Sequence, residues 1–100
     1  MNDKQSHARM WLAKAESDQL AARRLLKEEG PFDAVCFHAQ QACEKALKAV
    51  LAWAEADIPR THNIEELQAR CVTLLPKPTA SVLQSLGLSD LTPYAVDRRR

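Results

Sequence analysis

The chain has 100 residues, 14 basic and 13 acidic side chains, a formal net charge of +1 and only 2 glycines. That is one domain's worth of chain, without a global field for nucleic acid or membrane, and too poor in turn glycines and aromatics for a β-sandwich or barrel. A domain this short buries only roughly 60–65 % of its unfolded surface, so its stability margin is thin and a partner subunit would help it.

The first predicted helix runs from about Asp3 to Glu29. Ala8, Trp11, Ala15, Asp18, Ala22 and Leu25 recur at spacings of three and four and form one stripe, which Leu12, Gln19 and Leu26 widen. Gly30 suits the C′ position and Pro31 blocks continuation. Asp18 stands in the middle of the apolar stripe, where a carboxylate is costly unless paired. Either Lys45 or Lys48 partners it across a helix pair, or it sits half-exposed at the edge.

The second helix is predicted from Phe32 or Asp33 to Glu55. Val35, Ala39, Ala42, Ala46, Ala49 and Trp53 make a small-residue stripe that lets another helix approach closely. Cys36, Cys43, Leu47, Val50 and Ala54 lie beside it. His38, Gln41, Lys45 and Lys48 are expected on the opposite side, flanked by Gln40 and Glu44. Glu44 precedes Lys48 by four residues, the better orientation for a helical ion pair. This polar side reads either as a solvated face or as a groove for an anionic ligand.

"ADIPRTH" is a connector. Asn63 and Glu66 have a capping-box spacing, so a third helix starts near Ile64 and carries Leu67, Cys71 and Leu74 inward. Pro76 and Pro78 are expected to end it. A fourth segment, about Thr79 to Leu91, groups Val82, Leu83 and Leu86, with Gly87 as a weak point; Thr92-Pro93 could open a last turn. Short connectors between amphipathic helices predict an all-α, antiparallel up-and-down four-helix bundle whose fourth helix is short or truncated, in a single domain over 1–100.

Other chemistry finds little support. The three cysteines, at 36, 43 and 71, form no C-x-x-C pair and read as reduced thiols. Cys36 and His38 point about 200° apart on a helix, so Cys36, His38, Cys43 and Glu44 do not converge on a metal. The same geometry rules out a Cys–His nucleophile within the helix, although His62 could reach in from the connector. His62 is otherwise expected to help cap the third helix. No Gly-rich phosphate loop is present and no cofactor is expected. The N-terminal "MNDKQSHARMW" lacks an apolar h-region and no run reaches the ~18 apolar residues of a membrane span, so a cytoplasmic location is expected.

The segments "AESDQLAARRLL", "FDAVCFHAQQACEKALKAVLAW", "PRTHNIEEL" and "LTPYAVDRRR" resemble, in order and spacing, the HEPN domain family over about Trp11 to Arg99. The resemblance implies a four-helix bundle that pairs into a dimer. It also implies a small nucleotidyltransferase as partner, often in a toxin–antitoxin pair, and a role as either a metal-independent endoribonuclease or a nucleotide-binding accessory domain. The ribonuclease branches use an Arg and a His four to six residues apart, and no such pair occurs here; Arg60-Thr61-His62 comes nearest. Tyr94, Ala95, Val96 and Asp97 follow the family pattern and Arg99 stands where its Arg would, but the residues that continue this tail in relatives are expected to be either missing or replaced by "RRR". Any site built on the tail is expected to be incomplete. The sequence therefore favours a homodimeric binding or accessory subunit. Its alternatives are a ribonuclease toxin with a non-standard site and a plain dimerisation scaffold. The candidate ligand-binding residues are Asp18, His38, Gln41, Glu44, Lys45, Lys48, Arg60, His62, Tyr94 and Arg99, with nucleotide or RNA as the ligand.

Overall fold

The computed structural model describes residues 3–85, which form four helices: α1 (Asp3–Lys27), α2 (Phe32–Trp53), α3 (Ile64–Leu74) and α4 (Lys77–Ser85). The fold is an all-α bundle with a short fourth helix. α1 packs on α2, α2 on α3 and α3 on α4. Contacts between α1 and α2 join Lys4 to Glu55, Trp11 to Lys48, and Asp18 to Lys45 and His38. Residue numbers rise along one helix as they fall along the other, so the pair is antiparallel. The predicted end of the fourth helix, its neighbours Leu86 and Gly87, and the turn after Thr92-Pro93 lie outside the described residues, as do Tyr94 and Arg99.

Both long helices end in the same way. Gly30 N–H bonds back to Leu25 O at 2.8 Å and Glu29 N–H to Leu26 O at 3.1 Å; Ala56 N–H and Glu55 N–H do the same to Leu51 O and Ala52 O. These are Schellman closures, which require a left-handed residue at C′. That residue is Glu29, with φ 66°, and Glu55, with φ 58°. The C′ position expected at Gly30 therefore falls one residue earlier, and Gly30 at φ 108° supplies the next step of the reversal. Asn63 caps α3 as its spacing predicts: its side chain accepts from Glu66 N–H at 3.0 Å.

The core lies between α2 and α3. Leu47, Leu51, Ile64, Leu67 and Cys71 are buried together, with Cys43, Val50, Ile58 and Leu83 packed against them. Cys71 Sγ donates to Leu47 O at 3.3 Å, and Gln68 Nε2 donates to Leu83 O, which ties α3 to α4. Four expectations need correction. Leu74 is 45 % exposed because α3 ends there, before a wall forms over it, and Val82 is 63 % exposed. Pro78 does not end α3; it lies in the first turn of α4, where its missing N–H costs nothing. Leu12, Gln19 and Leu26 do not widen the buried stripe of α1 but face outward.

Candidate functional site

The polar residues of α2 form two clusters. The first is closed. Asp18, half-buried in the stripe of α1, receives Lys45 Nζ on one carboxylate oxygen and His38 Nδ1, at 2.9 Å, on the other. A carboxylate can only accept, so His38 Nδ1 carries the proton. Burial alone would raise the Asp18 carboxyl; hydrogen bonds from Lys45 and His38, reinforced by their charge, outweigh it and hold the group below its ordinary 3.8. Asp18 is thus paired, as its place in the stripe demands, and Lys45 is the partner.

That pairing corrects the expected division of α2. His38 and Lys45 do not face away from the first helix; they are turned toward α1, because Asp18 needs partners there. The alanine stripe lies alongside rather than within this contact. Ala49 is buried, Ala42 and Ala46 are half-buried, and Ala39 and Trp53 are exposed. Gln41 donates its amide to Gln40 Oε1 at 3.0 Å. Gln40 is fully buried, and its Nε2 has no hydrogen-bond partner among the described residues.

The second cluster reaches the surface only at His62; Glu44 and Lys48 are buried. Glu44 is buried, its side chain 3 % exposed, and its Oε1 accepts from His62 Nδ1 at 2.9 Å. Its Oε2 lies 4.0 Å from Lys48 Nζ, one turn further along α2. His62 therefore does not cap α3. It latches the connector onto α2 and directs its Nε2 away from the carboxylate, because a buried anion in this position needs a donor. Lys48 Nζ also stands 5.3 Å from the centre of the Trp11 ring, a cation–π distance. Trp11 Nε1 in turn donates to His7 Nε2 at 3.3 Å.

His7, Trp11 and Lys48 line a pocket of about 420 Å³ between α1, α2 and the connector, together with Ala56, Asp57, Ile58, Pro59 and Arg60. Arg60 is exposed and has no ion pair among the described residues. Lys48 and Arg60 thus bring two cations to an apolar floor, with Asp57 as the one acid in the lining. Of the expected site residues, the structure brings Glu44, Lys48, Arg60 and His62 to one place and sets Asp18, His38, Gln41 and Lys45 in or beside the α1 contact. His7 and Trp11 were not among the expected site residues. Their signal is the i, i+4 spacing of an imidazole and an indole on α1, which merges into the apolar stripe.

Among the described residues, no three His, Cys, Asp or Glu side chains are grouped to hold a metal ion, and no helix is long and apolar enough to cross a membrane. The cysteines are all free. Burial pushes the Cys71 thiol up to about 11, and burial with the neighbouring Glu44 charge raises that of Cys43.

A comparison with protein families matches the HEPN domain over residues 8–99, beginning within α1. The chain belongs to the HEPN domain family. No curated protein and no solved structure gives a significant match. The HEPN match spans both polar clusters, the connector and every residue lining the pocket beneath it except His7.

Proposed function

We propose that this HEPN domain is an accessory binding subunit that holds the phosphate of a nucleotide or of an RNA end in the pocket beneath the α2–α3 connector. It works as a homodimer alongside a nucleotidyltransferase, in a toxin–antitoxin-type pair. The observation that carries the binding reading is the placement of Lys48, set on the Glu44–His62 latch, together with Arg60, which has no ion pair among the described residues, over an apolar floor that includes Trp11. Lysine meets a phosphate as a point charge, arginine as a fork, and the indole edge and Ile58 suit the planar, less polar part of a nucleotide. Lys45 bonds directly to Asp18, whereas Lys48 stands 4.0 Å from a Glu44 carboxylate that also accepts from His62, so Lys48 is the less tightly held of these two lysines. The nucleotidyltransferase partnership rests on the family resemblance alone.

Binding is favoured over cleavage because the Arg–His spacing of the ribonuclease branches is missing, and with it the proton-transfer couple that would activate a ribose 2′-hydroxyl. Few phosphates are engaged and the net charge is near zero, so binding is expected to be weak and salt-sensitive. The test is a calorimetric titration of nucleoside monophosphates and short single-stranded RNA, at low and at physiological salt. It compares the wild type with a Lys48→Met/Arg60→Ala variant whose helicity is checked by circular dichroism. Wild-type binding that the variant loses supports the reading. Equal binding by both, or none at millimolar ligand, leaves only a scaffold, and RNA cleavage abolished by His62→Ala would replace binding with catalysis.

A further inference from the structure

The pocket beneath the connector holds a carboxylate that a phosphate does not account for. Asp57 is the single acid in its lining, which it shares with Lys48 of α2 and with Arg60, three residues further along the connector. Asp57 and Arg60 are both exposed, and neither has an ion pair among the described residues. The carboxylate and the guanidinium thus border one pocket without neutralising each other. A bare phosphate would be drawn to Lys48 and Arg60 and repelled by Asp57. A carboxylate only accepts hydrogen bonds, so the group that suits it is a donor. Three residues of chain span at most ~11 Å, so the backbone positions that carry the acid and the arginine lie within that distance of each other. In a nucleotide the unit bonded directly to the phosphate is the sugar, and the 2′- and 3′-hydroxyls of ribose are adjacent donors. The base lies one unit further on, where Trp11, Ile58 and Pro59 offer apolar surface.

We infer that Asp57 accepts from the 2′- and 3′-hydroxyls of a free ribonucleotide whose phosphate lies at Lys48 and Arg60. Two oxygens of one carboxylate match two adjacent hydroxyls, and an ionised acceptor makes the stronger class of hydrogen bond. The 2′-hydroxyl is the group that separates ribonucleotides from deoxyribonucleotides. At the 5′ end or in the interior of an RNA the 3′ oxygen is tied up in a phosphodiester. That linkage removes one donor and sets a second negative charge beside Asp57, so the acid disfavours those positions. Asp57 is exposed, and water competes for the same acceptor oxygens, so the preference for ribose is expected to be limited rather than absolute. This inference rests on the phosphate reading of the pocket and narrows its ligand to a nucleotide with an open cis-diol.

The experiment is a calorimetric titration at low salt with three ligands: adenosine 5′-monophosphate and its 2′-deoxy and 3′-deoxy counterparts. Each is titrated into the wild type and into Asp57→Ala. The position is exposed in a connector, so helicity by circular dichroism is expected to match the wild type. The wild type is expected to bind the ribonucleotide about ten-fold tighter than either deoxy compound. In Asp57→Ala the three are expected to bind alike, with the deoxy compounds held more tightly than by the wild type because the acid no longer repels their phosphate. An acid that acts through its charge alone would shift all three affinities together and leave their ratios unchanged. Equal affinities in the wild type, or a ribose preference that survives in Asp57→Ala, overturn the ribose contact and leave the phosphate pocket standing. Binding of none of the three at millimolar concentration overturns both.

Discussion

At the scale of single residues, two features fix where stability comes from. Asp18 is a carboxylate inside an apolar stripe, held below its ordinary value by Lys45 and His38 against the opposing effect of burial. A depressed carboxyl stabilises the fold fully above its unfolded value and loses that contribution as pH falls through its folded value, here below 3.8. Asp18→Asn is therefore expected to lower stability at neutral pH and to flatten the acid limb of a urea-midpoint profile between about pH 5 and pH 2. An unchanged acid limb would show that other carboxyls set it. Glu29 and Glu55 are the second feature, because both hold left-handed backbone at Schellman C′ positions where a Cβ is strained. Glu29→Gly should raise stability by about 0.5–1 kcal/mol, whereas Glu29→Ala, which keeps the Cβ, should not. Chemical denaturation of the two variants side by side checks this.

At the scale of helices, the core belongs to the α2–α3 contact, and α3 has only 11 residues to make it. Leu67 is fully buried there, so Leu67→Ala is expected to cost about 2–5 kcal/mol. Leu74→Ala, one helix end away and exposed, should cost well under that. Urea midpoints measure both; comparable losses would mean that Leu74 is covered in solution. Periodicity alone could not separate these two leucines, since both lie on the same face and only the end of α3 after Leu74 distinguishes them. Helix positions were legible because Gly30, Pro31 and the Asn63 cap are local signals. The face that each helix presents to its neighbour was less legible. The polar side of α2 reads as solvated or ligand-binding from its own wheel, and only Asp18 on another helix turns His38 and Lys45 inward.

At the scale of the whole domain, α2 is the central helix: one side is clamped to α1 through Asp18, another builds the core with α3, and Glu44 and Lys48 meet the connector. The four-helix plan and the family were legible in the sequence; that Asp18 would be paired, and with Lys45 rather than Lys48, was left open there and is decided by the structure. The pocket was legible only in part. Lys48, Arg60 and His62 stood out by type, but His7 and Trp11 come from a helix more than thirty residues away from Lys48 and enter through the antiparallel register. The central claim is that this pocket takes a nucleotide phosphate, and Trp11 is a built-in reporter of it. The most direct measurement is Trp11 fluorescence in a Trp53→Phe background, titrated with a nucleoside monophosphate at low salt. A saturable change that disappears in Lys48→Met/Arg60→Ala is the predicted result. No change at millimolar nucleotide, or the same change in the variant, would contradict it.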